Sequence, residues 1–124
     1  MDRPCLLAFV EDFYFRSQIE AIARMKRFDP YFATQGEQLS QLAKTLAPFM
    51  MLADLSSSDS EWIFRHITEL KATRPDFPIV VFIAPVQEDV RDRAERYGCD
   101  LVLSKSELIQ KLPSTIDDIL RKGI

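Results

Sequence analysis

Apolar positions along the chain alternate between two patterns: short continuous runs, and longer stretches in which they recur every three to four residues. Five runs stand out, at residues 5–10, 31–34, 48–55, 79–84 and 101–104. Each has the length of a strand and is bounded by charge or turn formers. The run that starts at Pro48 carries Met50, Met51, Leu52 and Ala53, ends on Asp54, and then dissolves into serines. It reads as a strand buried on both faces, which is the habit of parallel sheets.

Between the runs the period is helical. From Phe13, one face holds Phe15, Ile19, Ile22 and Ala23, while Arg16, Gln18, Glu20, Arg24 and Arg27 point elsewhere. Asp29-Pro30 is expected to break that helix and Gln35-Gly36 to turn into the next, which carries Leu39, Leu42, Ala43 and Leu46 and stops before Pro48. Residues 56–60, four serines and Asp59, offer N-caps for a third helix with Ile63, His66, Ile67 and Leu70 inward. A fourth, from Glu88 to Tyr97, turns Val90, Ala94 and Tyr97 inward and closes on Gly98. Because proline is costly inside a helix, Pro113 predicts a short turn over 106–111 and a new helix docked by Ile116, Ile119 and Leu120.

Five strands alternating with five helices predict an α/β fold, a doubly wound parallel sheet of flavodoxin-like (βα)5 type with strand order 2-1-3-4-5. In that order the chain reverses between strands 1 and 3, so the ligand cleft lies at their carboxyl ends. Glu11 and Asp12 after strand 1 and Asp54 after strand 3 all fall there.

Length and charge narrow the picture. The chain has 124 residues, 47% of them hydrophobic, which suits a single domain with no separate output domain. With 19 acidic and 16 basic side chains the net charge is −3, and no Lys/Arg block suggests a nucleic-acid surface. Cys5 and Cys99 form no CxxC pair, and one histidine does not complete a zinc site, so two reduced thiols and a cytoplasmic setting are expected. The apolar run near the N-terminus is too short for a signal-peptide core or a membrane span.

The chemistry follows from the cleft. Two carboxylates about 5 Å apart repel by roughly 3 kcal/mol at an effective dielectric near 20, so three in one cleft call for a cation. A hard divalent ion such as Mg²⁺ is the natural one, and Lys105 at the end of strand 5 adds a fixed ammonium. Metal and ammonium together prepare a carboxylate to attack a phosphoryl group, and Asp54 on the central strand is the candidate nucleophile.

Glu11-Asp12, Asp54 and Lys105, with 42 residues from Asp12 to Asp54 and 51 from Asp54 to Lys105, resemble the receiver domain of two-component response regulators. The segment from Gly98 to Lys105 resembles the receiver's approach to its lysine, and that from Pro78 to Ala84 its fourth strand. The resemblance covers essentially the whole chain. It implies a non-enzymatic, stand-alone receiver with Asp54 as phosphoacceptor and Lys105 as partner of the phosphoryl oxygen. Glu11, Asp12, Asp54 and the backbone carbonyl of Ser56 would be the Mg²⁺ ligands. Its implied partners are a histidine kinase or phosphotransfer protein and a downstream target protein, with the chain a monomer or weak homodimer that binds neither nucleic acid nor membrane.

Several positions depart from the receiver pattern. Ile83 stands where receivers carry Thr or Ser, Val102 where they carry an aromatic, and Ser106 where a proline follows the lysine. A trans bond and a differently aimed Lys105 follow from Ser106, since a non-proline cis bond costs about 3 kcal/mol. Ser57, Ser58 and Asp59 replace the usual Pro and Gly after Asp54.

Plainer readings stand beside these. Glu11 and Asp12 also suit a helix N-terminus, and Asp54 also suits the cap of a turn. Two of Phe13, Tyr14 and Phe15 are expected to be core or partly covered, with Phe13 or Tyr14 otherwise covering the pocket or docking a partner. His66 is expected to be a hydrogen-bonded structural side chain, and Trp62 a fluorescent reporter of Asp54. Three functions remain: a phosphorylatable receiver, a pseudo-receiver that signals by protein contact without phosphorylation, and a flavin carrier or enzyme on the same fold. The last is disfavoured, because Glu11-Asp12-Phe13 would repel a nucleotide phosphate.

Overall fold

A computed structural model describes residues 3–34, 39–56, 61–84 and 88–122, with the side chains of Ser40 and Lys122 left out. Its elements run β1 (Cys5–Phe9), α1 (Phe13–Lys26), β2 (Asp29–Phe32), α2 (Leu39–Leu46), β3 (Met50–Asp54), α3 (Glu61–Thr73), β4 (Ile79–Ile83), α4 (Glu88–Arg96), β5 (Leu101–Ser104) and α5 (Lys105–Lys122). All four strand pairings are parallel, in the order β2-β1-β3-β4-β5. The expected topology is the observed one.

Strand alternation sends side chains to two cores. Leu7, Met51, Ala53, Val81 and Ile83 meet α2, α3 and α4 on one face. Leu6, Ala8, Leu52, Val80, Phe82 and Leu103 meet α1 and α5 on the other. Met50 through Ala53 are fully buried, as a central parallel strand requires. Cys5 and Cys99 are free thiols, and burial pushes the Cys99 thiol up to about 12.

Two boundaries differ from the expectation for physical reasons. β2 begins at Asp29 and pairs through Pro30, although Asp29-Pro30 reads as a breaker. It is an edge strand, where a missing N–H on the open side leaves the ladder intact. The preceding helix is stopped instead by Arg27 in the left-handed region (φ 63), whose N–H donates to the Ala23 carbonyl (2.7 Å).

Pro113, expected to start a new helix, lies inside a continuous α5. An interior proline costs about 3 kcal/mol, whereas fully burying an aliphatic side chain contributes about 2. Leu108, Leu112, Ile116 and Ile119 are all buried on one stripe spanning the proline, so burial outweighs the break. Leu120, expected to dock, is off the stripe and 41% exposed. The predicted Gly98 cap is present, with φ 95 and its N–H on the Glu95 carbonyl (3.2 Å). Tyr97, expected inward, is 39% exposed and stacks on Phe64 at 5.0 Å. Among the described residues no helix is long and apolar enough to cross a membrane.

Candidate functional site at the carboxyl edge

The order β2-β1-β3 puts the topological switch point between the carboxyl ends of β1 and β3. Phe9 is the register partner of Ala53, so the chain leaving β1 through Val10 into Glu11 and Asp12 passes beside Asp54. Asp54 is half-buried at the end of β3, and its register partner on β4 is Phe82. Alternation turns its side chain to the face of Leu52, where α1 and α5 pack.

Two of the three acids have a local role. Asp12 is the N-cap of α1, its Oδ1 accepting the Phe15 N–H at 3.1 Å. Asp54 Oδ1 accepts from both the backbone N–H (2.8 Å) and the hydroxyl (2.5 Å) of Ser56, a local turn that fixes the carboxylate. Both plainer readings of these carboxylates therefore apply. Glu11 is exposed. Among the described residues no three His, Cys, Asp or Glu side chains group to hold one metal ion by themselves, and Mg²⁺ ordinarily takes only one or two carboxylates and keeps several waters. The Ser57-Ser58-Asp59 segment lies outside the described residues.

Lys105 begins α5 directly after β5, with no intervening loop. Its peptide bond to Ser106 is trans. The ammonium lies 5.3 Å from the centroid of the Phe15 ring, and no ion pair joins it to Asp54. Phe15 in turn packs on Phe82, the strand neighbour of Asp54, at 5.7 Å. A half-buried ring thus takes up the lysine that the resemblance assigns to a phosphoryl oxygen, through the attraction of a cation for a π face.

The helix start that aims Lys105 is held by a reciprocal cap. Ser104 Oγ accepts the Glu107 N–H (3.3 Å), while Glu107 Oε1 accepts from the Ser104 N–H and hydroxyl (3.0 Å each). The Lys111 ammonium beside it (2.7 Å), together with those Ser104 bonds, holds the Glu107 carboxyl down to about 2. Sequence reading passed over this cap, although the Ser-Lys-Ser-Glu spacing carries its signature.

Ile83 and Val102 are apolar and buried. Ile83 is 1% exposed within the core on the α2–α4 side, and Val102 is buried in the same core. Trp62 packs at a tilt against Phe9 (4.8 Å) and edge-on against His66 (5.2 Å), near the carboxyl end of β1. His66 is buried as expected. Its Nδ1, however, has no hydrogen-bond partner among the described residues, and burial lowers the imidazole pKa. Phe13 is 83% and Tyr14 61% exposed, so two of the three clustered aromatics face solvent, against the expectation that two would be covered. Arg16 donates its Nε–H to the Val10 carbonyl (2.6 Å) and lies over the Phe32 ring (5.1 Å).

The architecture is that of CheY-like receivers. A CheY-like protein (tadZ) of Pseudomonas aeruginosa PAO1 superposes with a TM-score of 0.79 at 14% identity, over 92% of this chain and 97% of that one. A receiver domain protein of Methanospirillum hungatei JF-1 gives 0.79 at 16%, covering 98% and 97%. A pilus assembly-related protein of Burkholderia pseudomallei K96243 gives 0.70 at 16%, covering 93% and 87%. No protein-family model and no curated protein sequence matches the chain.

Proposed function

We propose that this chain, which has the fold of CheY-like response-regulator receiver domains, is a signalling module that works by protein contact and does not depend on a phosphoryl group at Asp54. The observation that supports this most is the seat of Lys105 over Phe15. Phosphoryl transfer to a carboxylate needs positive charge held where the transferring oxygens become more negative. Here the fixed ammonium is engaged by a ring. Ile83 and Val102 supply neither the hydroxyl nor the ring by which a receiver would pass on the change.

The test is intact-mass spectrometry after incubation with acetyl phosphate and Mg²⁺. The module reading predicts no phosphoryl adduct. An adduct on the wild type that is absent from Asp54→Asn overturns it.

One observation favours a second reading, with Asp54 as phosphoacceptor. Its Oδ1 is pinned by Ser56, while Oδ2 has no protein partner among the described residues. On that reading Glu11, Asp12, Asp54 and the Ser56 carbonyl hold Mg²⁺ after drawing together, and the donor is a histidine kinase or phosphotransfer protein. The same mass measurement separates the two.

A further inference from the structure

We infer that the mouth of the carboxyl edge, formed by Phe13 and Tyr14 with Glu11 and Asp12, docks a protein segment carrying arginine or lysine beside aliphatic side chains. This rests on the module reading and names the chemistry of its partner. Phe13 and Tyr14 are the first two residues of α1 and stand in solvent at 83% and 61%, while Phe15 turns to the core. Two adjacent exposed aromatics are an anchor without a pocket partner, the residue type that dominates binding energy when covered. They are already ordered, because the Asp12 cap fixes the first turn on which they sit, so little freedom is lost on docking.

Charge selects the occupant. Glu11 and Asp12 are exposed and form no ion pair among the described residues. Arg16 and Lys105, the cations against this aromatic cluster among the described residues, are both occupied. Arg16 is bound to the Val10 carbonyl and sits between the Phe13 and Phe32 rings, at 5.9 and 5.1 Å. Lys105 sits over Phe15. A basic side chain from a partner gains an ion pair with the acids and a π face from the aromatics, and an aliphatic neighbour covers the rest of the rings. An acidic segment meets only repulsion.

The experiment titrates the full ¹⁵N-labelled chain with three synthetic peptides of equal length, built from alternating Arg-Leu, Glu-Leu and Arg-Gly. The Arg-Leu peptide is expected to shift the amides of residues 11–15 saturably and to bind about tenfold or more tightly than either control. Phe13→Ser with Tyr14→Ser is expected to weaken it about tenfold, and Glu11→Gln with Asp12→Asn to remove most of its salt sensitivity. Asn keeps a good N-cap, and the amide spectrum of each variant reports its folding. The inference is overturned if no shifts appear, if they map elsewhere, if Glu-Leu or Arg-Gly binds equally, or if folded variants bind as the wild type does. A phosphoryl adduct on Asp54 would instead overturn the module reading, whatever the peptides do.

Discussion

The two edges of the sheet use their charges differently. At the amino edge, Lys71 donates to the Pro75 and Phe77 carbonyls (3.2 and 2.8 Å) and to Asp100 Oδ2 (2.7 Å). That oxygen also accepts the Ile79 N–H that opens β4 (2.8 Å). One ion pair thereby fastens the end of α3, the turn after it and the start of both β4 and β5. At the carboxyl edge, ion pairs hold the helix starts at Glu61 (Arg93, 2.6 Å) and Glu107 (Lys111, 2.7 Å), but Glu11, Asp12, Asp54 and Lys105 form none with one another or with other described residues. Charge consumed by the fold is structural. Charge left over at the edge where α/β sheets bind ligands is available for a partner.

The contrast predicts a ranking of substitutions. Asp100→Ala at the amino edge has the largest effect, about 2 kcal/mol of lost stability in chemical unfolding, because it strands the Ile79 N–H and a Lys71 ammonium that is only slightly exposed. A loss no larger than that of a surface substitution would erase the distinction between the edges. Ser104→Ala comes next, at about 1 kcal/mol, since it removes the N-cap of α5.

The partner residue of that cap adds a pH signature. The Glu107 carboxyl is lowered from its ordinary 4.5 to about 2, chiefly by the Lys111 hydrogen bond and then by Ser104. A depressed carboxyl contributes stability that is present above the unfolded value and is lost as pH falls toward the folded one. The stability gap between wild type and Glu107→Gln should therefore hold above pH 4.5 and narrow between about 4.5 and 2. A gap independent of pH in that window would contradict the assigned bonds. The smallest effect is expected at the carboxyl edge: Asp54→Asn keeps an Oδ1 for Ser56 and should change stability by less than about 0.5 kcal/mol.

The ranking also explains what sequence could and could not foretell. The sheet order and the two-sided burial of β3 were legible because continuous apolar runs and helical stripes have distinct periods. The start of β2 and the unbroken α5 were not, because each turns on a comparison that a proline rule omits. Pro30 is harmless only on an edge, and Pro113 is tolerated only because four buried side chains span it. At the site, the arrival of Asp54 and Glu11-Asp12 at one sheet edge was legible from topology. The seat of Lys105 was not, since Phe15 reads by period as a core residue and gives no sign of its second contact. The Ser104–Glu107 cap was written in the spacing and was overshadowed by the lysine between them.

The claim that the lysine of the carboxyl edge belongs to the aromatic ring and not to Asp54 is open to direct measurement by proton NMR. Seated over Phe15, the Lys105 ε-methylene protons should be shifted upfield by the ring, lose that shift in Phe15→Leu, and keep it in Asp54→Asn. Lys105 resonances at ordinary positions in the wild type that move on Asp54→Asn would contradict the account.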